Sequence, residues 1–157
     1  MIVINFKNYV SGEKSLELAE KIEKYLQKAI VAVPAADIFE ITAETKLKVY
    51  AQHIDSIEPG RATGFIIPED IKKAGAFGSL LNHSEHSLQL STIKKTIERA
   101  NKLKLKIILC APTISQVKKL IKLKPYAIAF EDPKLIASGK SITNYKASDV
   151  KKFAQLL

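Results

Sequence analysis

Residues Tyr126–Lys140 read YAIAFEDPKLIASGK. Tyr126 to Phe130 form an uncharged, largely apolar run between Pro125 and the acidic pair Glu131–Asp132. A short run bounded in this way predicts a strand buried on both faces, as in a parallel sheet. The strand stops at a carboxylate, and a loop containing Pro133, Ser138 and Gly139 follows. Parallel α/β domains bind ligands at the C-terminal ends of their strands, so Glu131 fits a general base followed by a lid. Taken alone, Glu131 reads more readily as a solvated loop acid.

Working outward, the rest of the chain alternates strand and helix. Ile2 to Phe6 predicts a strand, and Glu13–Lys28 an amphipathic helix with Leu16, Ala19, Ile22, Leu26 and Ala29 on one face. Ile30–Val33 predicts a second strand ended by Pro34, and Ala35–Thr45 a short helix with loops. Lys48–Gln52 reads as a third strand, His53–Ile67 as a long loop, and Pro68 as the start of a short helix, where its fixed φ fits. Phe77–Leu81 and Lys106–Cys110 are further strands; Leu90–Lys104, with Ser91 as its cap, Thr113–Lys124 and Ala147–Leu157 are further helices. Alternation without hairpin signals predicts a parallel sheet with right-handed crossovers. An open doubly wound sheet and a (β/α)₈ barrel both satisfy it. A complete barrel takes eight strands and about 250 residues; this chain has 157 residues and supplies six β-α units. There is no Gly-x-Gly-x-x-Gly after the first strand and no P-loop.

Composition narrows the class. A chain of 157 residues with 46% apolar content suffices for one domain with a real core, taken as residues 1–157. No apolar run approaches the roughly 18 residues that cross a bilayer, and Met1 leads straight into IVINF with no basic leader, so a soluble cytoplasmic protein without membrane contact is expected. The single Cys110 excludes an internal disulfide and a multi-cysteine metal site. The net charge of +9 comes from lysines dispersed over helical stretches among glutamates; Arg61 and Arg99 are the only arginines. That distribution suits solvated helix faces rather than a nucleic-acid surface, which concentrates its charge.

The polar residues gather at strand ends. Asn5 and Lys7 follow the first strand, Asn82, His83, Ser84 and Glu85 the fourth, and Glu131 the sixth. A barrel would bring these ends to one mouth. A carboxylate, an imidazole, an ammonium and an amide, with no metal-ligand cluster, suit proton removal from carbon with stabilisation of the resulting oxyanion. Each residue also has a plain reading: Lys7 as a surface lysine, His83 as a residue bonded to nearby backbone.

Asn5-Phe6-Lys7 after an apolar opening strand resembles the N-x-K signature of the triosephosphate isomerase family. Gly78 to Glu85, GSLLNHSE, resembles its histidine motif in the archaeal form, and Phe130 to Gly139, FEDPKLIASG, the archaeal glutamate-and-lid motif. Ala51-Gln52-His53 with Pro59 to Gly64 resembles its third strand and interface loop. The resemblance runs from Ile2 to the last residue and implies a (β/α)₈ barrel lacking its last two β-α units, with an open parallel sheet as the alternative. It implies interconversion of dihydroxyacetone phosphate and glyceraldehyde 3-phosphate, an aldose-ketose isomerisation through an enediolate, without cofactor or metal. Glu131 would shuttle the proton, and His83, kept neutral by a helix N-terminus, would polarise the carbonyl, as in the family at large. Lys7 and Asn5, with Phe6 between them, would hold the substrate. Ile136 and Ala137 would offer lid N–H groups to the phosphate, Glu85 would support the site, and Thr63 would reach a neighbouring subunit. A homo-oligomer, dimer or tetramer, or a complementing C-terminal fragment is the implied partner; a catalytically silent fragment serving binding or assembly is the alternative. The sequence departs from the family at Asp132, where many members have proline, which bears on the lid hinge, and at His86 and Ser87, where many have arginine.

Overall fold

The computed structural model describes residues 1–136 and 138–156. Strands β1 (Val3–Asn5), β2 (Ile30–Val33), β3 (Lys48–Ala51), β4 (Gly78–Leu81), β5 (Lys106–Ala111) and β6 (Ala127–Phe130) alternate with helices α1 (Glu13–Tyr25), α2 (Ile38–Glu44), α3 (Pro68–Lys73), α4 (Leu90–Lys102) and α5 (Ile114–Leu120). Two short helices close the described chain, α6 (Ile142–Tyr145) and α7 (Ala147–Ala154). The six strands form one parallel sheet whose spatial order is the chain order, β1 to β6.

That order decides between the two architectures. A doubly wound sheet reverses direction at a switch point and carries helices on both faces. Here every crossover steps the same way, and the buried residues fall into two sets. One set joins Val31, Val33, Val49, Leu81, Ile107 and Leu109 of the strands to helix residues such as Ala19, Ile22, Ile41, Ile93, Ile97 and Val117. The other is built from strand residues, with Ile30, Ala32, Tyr50, Leu80 and Ile108 at its centre. Alternate residues of each strand thus face a helical outer layer and a side-chain-filled interior, the arrangement of a barrel wall. It also explains the near-continuous apolar strands.

The helices form where apolar spacing predicts. In α1, Ser15, Ala19 and Ile22 are buried; in α4, Ile93, Ile97 and Ala100 are. Pro68 stands at the first turn of α3, as expected. Thr113 caps α5, its hydroxyl accepting from the Gln116 N–H at 3.2 Å. Ser91 is not a cap: α4 begins one residue earlier, Gln89 occupies the capping position, and its carbonyl accepts the Ile93 N–H at 3.0 Å. The helix expected over Thr113–Lys124 tightens into a 3₁₀ turn at Ile121–Leu123 and ends at Lys124, in the left-handed region with φ 51°. Strand β6 is half-buried along its length, not buried on both faces, because among the described residues it pairs only with β5; β1, at the other edge, is likewise half-buried.

The sheet's tightest approach lies at Gly78. A Cβ there would collide with the Lys106 carbonyl oxygen of β5 and stand 2.7 Å from Tyr50 Cε1. The missing side chain lets the fully buried Tyr50 ring lie across β4, 5.9 Å from the Phe77 ring. Gly78→Ala must therefore separate β4 from β5 or displace Tyr50. A loss of ~3 kcal/mol or more is expected, read as a lower urea midpoint with unchanged slope; a parental midpoint would show that the wall has slack at this point.

Candidate functional site

The C-terminal ends of β1 to β4 surround a pocket of about 370 Å³ whose wall includes Asn5, Lys7, Gln52, His53, His83 and His86. Lys7 stands just past β1 with φ 48°, a left-handed conformation uncommon for a residue with a side chain. Two hydrogen bonds hold it there. Asn5 Oδ1 accepts the Lys7 N–H at 2.9 Å, and Gln52 Nε2, at the end of β3, donates to the Lys7 carbonyl at 2.7 Å. The Lys7 ammonium then reaches across the mouth and donates to Glu85 Oε1 at 2.6 Å. This bond, and next the lysine charge and His83, hold the Glu85 carboxyl below the usual carboxylate range.

The segment after β4 positions His83. Asn82 also adopts a left-handed conformation, φ 59°, and is buried. Its amide donates to the Cys110 carbonyl at 2.9 Å and its Oδ1 accepts the Leu88 N–H at 2.9 Å, so β5 and the following loop fix it on both sides. The Glu85 N–H is aimed at His83 Nδ1 at 3.2 Å. A neutral ring carrying its proton on Nε2 satisfies that bond. The N–H comes from a tight turn at Ser84–Glu85 and not from a helix N-terminus; α4 begins only at Leu90.

Glu131 follows β6, and its N–H continues the ladder to the Ala111 carbonyl at 3.1 Å. Its carboxylate accepts the Ser84 N–H at 2.9 Å and stands 3.4 Å from His83 Nε2. The ends of β1, β4 and β6 are thus linked by a continuous polar chain, Lys7–Glu85–His83–Glu131. Beside it, burial and then the Glu131 carboxylate push the Cys110 thiol far up, leaving a buried, un-ionised sulfur.

Other expected residues lie apart from this chain. The Phe6 side chain is buried in the helix-side core and points away from the pocket, because strand alternation sends it opposite to Asn5 and Lys7. Ile136 belongs to the loop after β6, and its N–H is taken by the Asp132 carbonyl at 3.3 Å. Ala137 lies outside the described residues. Thr63 is on the loop between β3 and α3, away from the pocket wall. That loop is stitched at its root by Asp55, which donates its N–H to the Ile66 carbonyl at 2.8 Å and accepts the Ile66 N–H at 2.9 Å. No group of three or more His, Cys, Asp or Glu able to hold a metal occurs among the described residues.

A family model described as Triosephosphate isomerase matches residues 1–156. The chain belongs to the triosephosphate isomerase family. A curated triosephosphate isomerase of Sulfurisphaera tokodaii is 43% identical over 152 residues, covering 93% of this chain and 66% of that protein. That of Sulfolobus acidocaldarius is 42% identical over 158 residues, covering 97% and 69%. The chain thus spans about two-thirds of the length of these curated relatives. A crystal structure of triosephosphate isomerase from Bartonella henselae superposes with a TM-score of 0.75 at 18% identity, over 97% of this chain and 72% of that one. The fold is therefore that of the family's (β/α)₈ barrel with six of its strands present.

Two pocket residues have no part in the expected roles. His53 and His86 stack with ring centroids 3.9 Å apart and planes at 18°, and His53 Nε2 lies 3.3 Å from Asp55 Oδ1. Burial lowers the His53 pKa below the ordinary imidazole value; His86 adds to this, and Asp55 opposes it. A folded state that resists protonation is stable above the unfolded imidazole value and loses stability as pH falls from there toward the folded value. The melting temperature should accordingly fall between about pH 7 and pH 5, and His53→Asn should flatten that part of the profile. An unchanged slope in the variant would remove His53 from the acid limb.

Proposed function

We propose that this chain carries the site of a triose-phosphate isomerase, interconverting dihydroxyacetone phosphate and glyceraldehyde 3-phosphate. The observation that carries the reading is Glu131 beside His83 Nε2 at 3.4 Å, with Lys7 tied to the same polar chain through Glu85. The Glu131 carboxylate takes a proton from the carbon next to the substrate carbonyl. The electrons move onto the carbonyl oxygen, where the His83 Nε2–H and the Lys7 ammonium stabilise the developing charge. In the enediolate that links the two steps, the hydroxyl proton passes from the neighbouring oxygen to the former carbonyl oxygen, and Glu131 returns its proton to the former carbonyl carbon, so that the neighbouring C–O becomes the new carbonyl. Lys7 must exchange part of its pairing with Glu85 for the substrate, and Glu131 must leave the Ser84 N–H.

The lid after β6 closes over the phosphate in this scheme. The Ile136 N–H is bonded to Asp132, so donation to phosphate requires the first turn of the lid to open. A cytoplasmic setting accords with the absence of any helix, among the described residues, long and apolar enough to cross a membrane. We read residues 1–157 as one domain and Thr63 as a contact to a second subunit of a homo-oligomer. Among the described residues the outer sides of β1 and β6 have no paired strand, which favours a second reading in which two further β-α units from a complementing fragment complete the wall.

The test is isomerase activity of the purified chain beside its Glu131→Gln variant, each alone and with the C-terminal third of the Sulfurisphaera tokodaii relative supplied in trans. Activity in the parent, falling roughly a thousandfold or more in the variant, is the expected result. Equal background in both, with and without the added fragment, would overturn the isomerase reading.

A further inference from the structure

Asp132 sits immediately after Glu131 and is buried. Its carboxylate does two things. Oδ1 accepts the Lys134 N–H at 2.9 Å, closing a turn at the lid's entry. Oδ2 pairs with Lys146 Nζ at 2.6 Å. Lys146 is the residue between α6 and α7, at the lid's exit, and its carbonyl accepts the Asp149 and Val150 N–H groups that open α7, both at 3.0 Å. One carboxylate therefore joins the first residue after the base to the far end of the segment that follows it.

We propose that Asp132 and Lys146 form an ionic clasp that fixes both ends of the lid, making them positioning residues for Glu131 and for lid closure. The clasp stiffens the lid's entry across space, through a charge pair and not through a covalent constraint on φ. The Lys146 ammonium at 2.6 Å, and then the Lys134 N–H, lower the Asp132 pKa, and the Asp132 carboxylate raises that of Lys146, so both remain charged throughout the neutral range. With the Asp132 carboxylate buried and the Lys146 side chain 45% exposed, the clasp can open without unfolding the barrel. The part it plays in catalysis rests on the isomerase reading; the clasp itself does not.

The experiment needs no substrate, so its failure is separate from failure of that reading. Trypsin cleavage after the exposed Lys140 in the lid is followed by mass spectrometry in the full chain, with urea midpoints measured in parallel. Asp132→Asn keeps an oxygen for the Lys134 N–H but removes the charge; Lys146→Met removes the partner; Lys146→Arg retains it. Both neutral variants should be cut roughly three- to tenfold faster. Lys146→Arg should stay close to the parent, and the double variant Asp132→Asn/Lys146→Met should be cut no faster than either single one. Raising salt on the unsubstituted chain should speed lid cleavage in the same direction. Parental rates in both neutral variants, or additive rates in the double variant, would overturn the clasp. If a variant loses its urea midpoint, the salt series on the parent decides: a flat cleavage rate overturns the proposal.

Discussion

Six strands running the same way in chain order bring every strand's C-terminal end to one rim. Each polar group of the candidate site depends on that constraint. Asn5, Lys7, Gln52, His83 and Glu131 are far apart in sequence, yet each is at or just past the end of its strand, so the register places them around one mouth. A shift of one residue in any strand would turn its site residue away from the mouth, and the cost of exposing the alternating apolar set holds the register. The apolar wall thus fixes the geometry of the polar rim.

The rim carries backbone strain. Lys7 and Asn82 both have positive φ, worth of order 1–3 kcal/mol each in a residue with a side chain. Each is held from both sides: Lys7 by Asn5 and Gln52, Asn82 by Cys110 and Leu88. The twist aims the Lys7 ammonium and the His83 ring at the same space. Gln52 acts through Lys7: its amide fixes the backbone, and the charge follows.

Much of this was legible in the sequence, for identifiable reasons. Strands such as Ile30–Val33 and Lys106–Cys110 show as apolar runs because both faces are covered, and Asn5, Lys7, His83 and Glu131 are chemically conspicuous where those runs stop. Pairings were not legible. That Gln52 grips the Lys7 carbonyl, that His86 stacks on His53, and that Asp132 reaches Lys146 depend on loop paths that no local periodicity encodes. The same limit accounts for Phe6. The N-x-K motif places it between two site residues, and strand alternation turns it into the opposite core. Strand β6, whose composition predicts burial on both sides, is half-buried because burial depends on a neighbouring strand as well as on composition.

The opposite end of the sheet shows what the rim gives up. By register, Lys48 and Lys106 face the interior at the N-terminal end, where their ammonium groups lie over the Phe77 and Tyr126 rings at 4.9 and 5.9 Å. Tyr50 is buried between them and the middle of the interior, and its hydroxyl finds no partner among the described residues. An orphaned buried hydroxyl costs about 1–3 kcal/mol. The aromatic ring compensates by filling the interior where Gly78 leaves room. A phenol sealed in apolar contact offers no acid–base chemistry near neutral pH, since burial and the nearby Tyr126 push the Tyr50 phenol still higher. Packing therefore governs the N-terminal end, and directed hydrogen bonds govern the C-terminal one. A substitution at Gly78 acts on whether the wall forms; one at Gln52 or Asp132 acts on where a charge sits in a wall already formed.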